Sequence, residues 1–143
     1  MEKVLVPAKY KYLAQISRFV GKAAKEANLD KASIYAVKLA VDEACSNIME
    51  HAYSGKGKGE ILCSCEIIDN GLKVTLYDNG NPLNPKEVPE FDSHTPLEEI
   101  EPGGAGIFLI NQLMDQVHYE SDPQLGNRME LVKHKEENKN PSK

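Results

Sequence analysis

The chain has 143 residues and a formal net charge of −5, and this length predicts one domain with a single core. The acidic balance argues against nucleic-acid binding, which depends on clusters of Lys and Arg. No apolar run approaches the length needed to cross a bilayer, and the N-terminal residues lack the apolar segment of a signal peptide. We therefore expect a cytoplasmic protein without membrane association.

The first half of the sequence predicts one strand and two helices. Residues 2–6 have the pattern of a short edge strand, and apolar positions from about Lys9 to Ala27 recur at helical spacing. Asp30 is a good N-cap for a second helix that continues to about Tyr53. The loop after it is rich in Gly and Lys, but it follows a helix and enters a strand, so it does not have the context of a P-loop.

The second predicted helix carries a carboxylate and a carboxamide one turn apart. Glu43 and Asn47 project from the same helix face, and Glu50 and His51 would continue that stripe. Mg²⁺ prefers oxygen ligands and usually keeps waters and substrate phosphates, so the amide oxygen of Asn47 would suit it. Glu43 would then be available to orient a hydroxyl group. The alternative is that both side chains only decorate an exposed helix face.

A predicted hairpin brings a second carboxylate to the end of a strand. Residues 60–68 and 72–78 alternate between apolar and polar positions on either side of Asp69-Asn70-Gly71, a strong signal for an antiparallel hairpin. The second strand ends at Asp78, whose carboxylate can accept the exocyclic amine of adenine. Gly80 lacks Cβ and would let the backbone approach a flat ring. An ordinary turn is the alternative.

The next segment predicts a loop and a glycine-rich helix start. Residues 79–102 hold five of the eight prolines and a cluster of acids, and a loop this long between two candidate nucleotide motifs predicts a lid. A surface excursion is the alternative. A helix from Gly104 to Asp115 then begins with glycines, which bare N–H groups to an anion, although glycines also begin ordinary helices. Strands are predicted at 116–121 and 128–134.

These elements predict an α+β protein, a two-layer α/β sandwich with helices on one face of a mixed, mostly antiparallel sheet. The three cysteines have no metal-binding spacing, so we expect buried, reduced thiols.

The motifs and their order resemble those of the GHKL ATP-binding superfamily. Residues 42–53 resemble its N box, Asp78-Asn79-Gly80 its adenine box, and Gly104-Ala105-Gly106-Ile107 its second glycine box. The short length and the Glu-His-Ala-Tyr ending of the N box are most similar to the anti-sigma-factor serine/threonine kinases of the RsbW and SpoIIAB type. The resemblance implies the GHKL (Bergerat) fold, with residues 1–134 as a histidine-kinase-like ATPase domain and 135–143 as a disordered tail.

The resemblance also implies roles for particular residues. Glu43 would be the catalytic base, Asn47 the Mg²⁺ ligand and Asp78 the adenine-binding carboxylate. Backbone contacts to the nucleotide would come from four further positions, Gly80, Gly104, Ala105 and Gly106. Asn127 and Arg128 stand where Thr-Thr is often found, and one or the other would reach the nucleotide, although the sequence does not say which. Pro102 stands where some members have Arg.

The implied function is that of an ATP- and Mg²⁺-dependent serine protein kinase that acts as an anti-sigma factor. Such a protein would bind a sigma factor and phosphorylate a STAS-type antagonist. Members of the family tend to form dimers, so a homodimer is compatible with the resemblance. The alternative is a nucleotide-gated binding module without phosphotransfer. The catalytic domain of a histidine kinase ranks last, because the sequence shows no dimerisation helices with a phospho-accepting His.

Overall fold

A computed structural model describes residues 1–54, 58–82 and 104–135 of the chain. These residues contain five strands and three α-helices. The strands are β1 (Glu2–Pro7), β2 (Glu60–Ile68), β3 (Gly71–Asp78), β4 (Gln116–Asp122) and β5 (Gly126–His134). The helices are α1 (Leu13–Glu26), α2 (Lys31–Asn47) and α3 (Gly104–Leu113), with a 3₁₀ turn at Tyr10–Tyr12 and a π-helical turn at Ile48–Ala52.

The strands form one sheet in the order β1-β2-β3-β5-β4. The predicted hairpin is confirmed, since Ile68 pairs with Gly71 across a two-residue turn. Each pairing among the described strands is antiparallel, so no parallel pair of the predicted mixed sheet is found within them. The predicted α+β class and two-layer arrangement are confirmed.

The core lies between the helices and one face of this sheet. The helix α2 packs against both α1 and α3, and its Val37 and Val41 are fully buried. Side chains in a strand alternate between two faces, so every second residue of each strand points into this core. All three cysteines are buried and unpaired, as predicted, and burial raises the pKa of the Cys45 thiol.

Local signals set the ends of the first two helices. The helix α1 ends at Glu26, and Asn28, two residues later, adopts a φ of 63°. The next N–H, that of Leu29, donates to Ala24 O at 3.2 Å. Asn tolerates this left-handed conformation better than most residues. Asp30 caps α2 as predicted, because its Oδ1 accepts the Ser33 N–H at 2.7 Å.

Two predictions lie outside the described residues. The lid was predicted within 79–102, of which residues 83–102 are not described, and most of the predicted tail, 136–143, is not described either. Among the described helices, none combines the length and apolar character that a membrane crossing requires.

Candidate functional site

The carboxylate of Asp78 stands at the end of β3 and is 7% exposed. Its Oδ1 accepts the Gly80 N–H at 2.9 Å and the Asn127 Nδ2–H at 2.7 Å. Burial raises the pKa of Asp78, against the lowering effect of these two hydrogen bonds. Both bonds use Oδ1, and no described residue bonds Oδ2, so the second oxygen is available to a hydrogen-bond donor from a ligand.

Asn127 connects the ends of three strands. It pairs with Asp78 across β3 and β5, and its Nδ2 also donates to Gly80 O at 3.0 Å. Its Oδ1 accepts from Ser121 Oγ at 2.7 Å, which brings in the end of β4. The side chain is 4% exposed, so its amide is fully engaged inside the protein. The sequence did not suggest Ser121 as a site residue, because its position depends on the register of β4 against β5.

Gly80 lies against the π-helical turn that follows α2, at a place with no room for a side chain. A Cβ at this position would lie 2.4 Å from Ala52 O, and the next residue, Asn81, donates its N–H to the same oxygen at 2.8 Å. The close backbone approach predicted for Gly80 is therefore an approach to the π-helical turn.

A second group of residues comes together where α2 faces the first turn of α3. A Cβ at Gly106 would lie 3.2 Å from Asn47 Nδ2 and 3.3 Å from Glu43 Oε2. Glu43 and Asn47 thus share one face, as predicted, and that face meets the glycine-rich helix start. Asn47 is 8% exposed, and its Nδ2 has no hydrogen-bond partner among the described residues. Gly104 and Ala105 open α3 beside this group.

The helix changes its winding directly after Asn47. In the π-helical turn, the Tyr53 N–H donates to Ile48 O at 3.1 Å, a five-residue step that is wider than that of an α-helix. Glu50 and His51 are exposed, and Glu50 accepts a hydrogen bond from the Tyr10 hydroxyl. The predicted extension of the Glu43–Asn47 stripe to these two residues is therefore not observed.

A small cavity lies between the two groups. Its volume of about 20 Å³ has room for roughly one water molecule, so a flat ring must displace lining side chains as it enters. The lining is mainly apolar apart from its two ends, and it consists of Ala44, Asn47, Ile48, Ala52, Asp78, Asn81, Tyr119 and Met129. The sequence suggested neither Tyr119 nor Met129, whose alternating positions indicate only strands.

Comparison with known proteins shows the family of this chain. Residues 6–133 match the histidine kinase-like ATPase domain family. The chain belongs to this family. It is 34% identical over 122 residues to the serine-protein kinase RsbW of Bacillus cereus (strain AH820), a match that covers 82% of this chain and 75% of that protein. The RsbW of Bacillus mycoides (strain KBAB4) is 31% identical over 121 residues, with the same coverage.

Two solved structures share the fold of this chain. The RsbU and RsbW domains of a Mycobacterium tuberculosis protein superpose with a TM-score of 0.60 at 12% identity, over 94% of this chain and 32% of that one. This chain therefore spans about a third of that protein. The ATP-binding domain of PrrB from Mycobacterium tuberculosis gives a TM-score of 0.51 at 21% identity, over 94% of this chain and 98% of that one. These likenesses confirm the predicted GHKL architecture.

Asn127 and Arg128, the two adjacent residues predicted to contact the nucleotide, point to opposite faces of the sheet. Asn127 joins Asp78 in the core layer. Arg128 follows on the other face, since side chains alternate along a strand, and it forms an ion pair with Glu120 of β4. The structure thus brings Asn127 into the candidate site and leaves Arg128 out of it.

The polar groups beside Asn47 suit a metal ion that is held mainly by waters and by phosphate groups. The described residues contain no cluster of three or more His, Cys, Asp or Glu side chains that could hold a metal. They do present the buried amide of Asn47 beside the start of α3. Its Nδ2 has no hydrogen-bond partner among them and is a donor suited to a phosphate oxygen, so only its Oδ1 would serve a metal ion. One amide oxygen is an adequate protein ligand for Mg²⁺ when phosphates and waters complete its coordination.

Proposed function

We propose that this chain binds Mg²⁺-ATP between Asp78 and the start of α3 and transfers the terminal phosphoryl group to a serine of a partner protein. The observation that carries this proposal is the convergence of Glu43 Oε2 and the Asn47 amide at Gly106. This convergence stands across a mainly apolar cavity from the Asp78–Asn127 pair. Similarity to serine-protein kinases named RsbW supports the same function.

The adenine would bind at the Asp78 end. Oδ1 of Asp78 is held by Gly80 and Asn127, so the carboxylate has a set orientation before a ligand arrives. Its Oδ2 would accept the exocyclic amine of adenine, a hydrogen bond to a charged group worth about 1.5–3 kcal/mol. Asn127 would act through Asp78, by holding its carboxylate, because both hydrogens of its amide are used inside the protein.

The phosphates would bind at the α3 end. Backbone N–H groups of Gly104, Ala105 and Gly106 belong to the first turn of α3, where the helix dipole favours an anion. Asn47 would hold the Mg²⁺ through its amide oxygen. When bound, this ion would neutralise negative charge on the phosphates.

Glu43 would act as the general base for transfer. Its carboxylate accepts the proton of the serine hydroxyl as the serine oxygen forms a bond to the terminal phosphorus. The bond between that phosphorus and the bridging oxygen breaks, and ADP leaves with the electron pair. The half-buried position of Glu43 beside Asn47 supports this role, since the base must stand next to the reacting phosphate.

The partners in this proposal come from the family relationship. We infer an anti-sigma factor that captures a sigma factor and phosphorylates a STAS-type antagonist, in line with relatives named RsbW. A homodimer, a cytoplasmic location and the domain limits 1–134 stay predictions.

Phosphotransfer is tested by incubating the chain with γ-labelled ATP, Mg²⁺ and a STAS-type antagonist, followed by mass spectrometry. We expect one serine of the antagonist to be phosphorylated, and a serine-to-alanine antagonist serves as the control. Equal labelling of the antagonist and its alanine control, no label on the antagonist although ATP binds, or no nucleotide binding at all, would contradict the proposal.

A second candidate is a nucleotide-gated binder without transfer. The position of Arg128 favours it, since this side chain is paired with Glu120 on the other sheet face and does not reach the phosphate end. The same experiment separates the two functions, because the gated binder would bind ATP and capture a sigma factor while leaving every antagonist serine unmodified.

A further inference from the structure

The hydroxyl group of Tyr53 bridges two backbone segments beside the candidate adenine site. It accepts a hydrogen bond from the Asn79 N–H at 2.9 Å and donates one to Glu60 O at 2.9 Å. Asn79 directly follows Asp78, and Glu60 begins β2. One side chain thus holds the turn of the adenine carboxylate against the first residue of a core strand.

The ring of Tyr53 packs directly against the backbone of Gly59. Gly59 has a φ of 86°, a left-handed conformation that favours glycine. A Cβ on Gly59 would lie 2.3 Å from Cε1 of the Tyr53 ring, so any other residue there would displace the ring. Tyr53 also packs against the hydrophobic core, which leaves little freedom for its hydroxyl to move.

The residue before Tyr53 holds the other side of the same turn. Ala52 O accepts the Asn81 N–H at 2.8 Å, so Ala52 and Tyr53 bond the residues on either side of Gly80. Both belong to the segment that starts at Asn47 and continues through the π-helical turn. This segment therefore connects the phosphate end of the site to the adenine end by a short, internally bonded path.

We propose that Tyr53 is a positioning residue of the nucleotide site, which holds the Asp78–Gly80 turn in its binding conformation before ATP arrives. This inference rests on the proposed function. A turn that is already ordered loses less conformational freedom when a ligand binds, and preorganisation of this kind improves affinity without a direct contact. The hydroxyl supplies the effect, whereas the ring supplies packing.

Calorimetric titration of ATP into Tyr53→Phe tests this role, because phenylalanine keeps the ring and removes both hydrogen bonds. We expect the Kd to rise about fivefold, which corresponds to ~1 kcal/mol. The number of sites should stay the same, and the binding entropy should become less favourable. Tyr10→Phe is the matched control, since it removes a tyrosine hydroxyl bonded to Glu50 on the surface, and its Kd should equal that of the wild type.

The outcomes separate this inference from the function on which it rests. A wild-type protein that binds no ATP contradicts the proposed function. If the wild type binds ATP and Tyr53→Phe binds it with an equal Kd, the positioning role is overturned. A variant in which the number of sites per chain falls while the Kd stays the same overturns it as well. Amide hydrogen exchange on the wild type gives a test that needs no folded variant. The Asn79 N–H should be protected, and exchange at the rate of an unprotected amide would overturn the proposal.

Discussion

The two ends of the candidate site differ in how far the protein satisfies its own polar groups. At the adenine end, Asp78 and Asn127 are both buried and bonded to each other, and Ser121 and Gly80 complete the network. At the phosphate end, the buried amide of Asn47 has an Nδ2 without a partner among the described residues. Under the proposed function, the protein therefore prepares the adenine end in advance, and a ligand would complete the phosphate end.

The secondary structure explains this difference. The proposed adenine end lies where β3 and β4 end and β5 begins, so backbone register sets each side chain against its neighbour. The phosphate end lies between two helices that contribute one face each. Because an unpaired buried polar group costs about 1–3 kcal/mol, its retention at Asn47 is typical of a site where a bound ligand compensates for the loss.

Replacing the candidate base should give the largest effect. Glu43→Gln keeps size and hydrogen bonding but removes the proton acceptor, so single-turnover transfer to an antagonist serine should fall by roughly 10²–10⁴-fold. ATP affinity and sigma-factor capture should change little. Glu50→Gln, which alters an exposed carboxylate of the following turn, is the matched control and should transfer at the wild-type rate. Equal transfer by Glu43→Gln and the wild type would remove the base assignment.

The adenine end is tested by Asp78→Asn. The amide cannot offer a charged acceptor to the adenine amine, and we expect calorimetry to show ATP binding weakened about tenfold or more. Asp69→Asn makes the same change in the exposed β2–β3 turn and should bind ATP normally. If a folded Asp78→Asn protein keeps the wild-type affinity, adenine does not bind at this carboxylate.

At the phosphate end, Asn47→Ala should change metal dependence more than nucleotide binding itself. Without the amide oxygen, Mg²⁺ keeps only phosphates and water, so the gain in ATP affinity on adding Mg²⁺ should shrink by roughly fivefold to tenfold. Titrations of both proteins with and without Mg²⁺ provide the measurement. An identical gain in wild type and variant would show that Asn47 does not hold the ion.

The smallest expected effect is a pH dependence that sharpens the comparison at the adenine end. Burial raises the folded-state pKa of Asp78 above its ordinary value of 3.8. The stabilising contribution of the protonated group is therefore fully present below pH 3.8 and is lost as pH rises through the raised pKa. Asp78→Asn removes this dependence. As the pH rises from 3.8 through the raised pKa, the unfolding free energy of the variant should therefore increase relative to that of the wild type.

The same titration should affect nucleotide binding with the opposite sign. ATP affinity of the wild type should fall by about threefold to fivefold as the pH falls through the raised pKa of Asp78, since a protonated carboxyl is a weaker acceptor. The pKa of Asp42 is also raised, chiefly by burial, but this residue is present in both proteins and cancels in the comparison with Asp78→Asn. An equal decline in the variant would assign the pH effect to other groups.

The sequence alone determined the features that depend on short-range periodicity. A helical repeat predicts Glu43 and Asn47 on one face, and the structure shows both side chains on the face that meets Gly106. A turn signal at residues 69–71 predicts the hairpin that ends in Asp78, and the structure confirms the antiparallel pairing of its strands. The order of these motifs was enough to predict the family to which the chain belongs.

Only the tertiary structure decided how distant segments meet. The bond between Asp78 and Asn127 joins residues 49 positions apart, and the choice of Asn127 over Arg128 depends on which face of β5 turns inward. Contact between Gly80 and Ala52 likewise depends on the π-helical turn, which no local pattern predicted. Periodicity sets the face of an isolated element, whereas strand register and helix packing are set by burial of the whole core, which a local pattern does not contain.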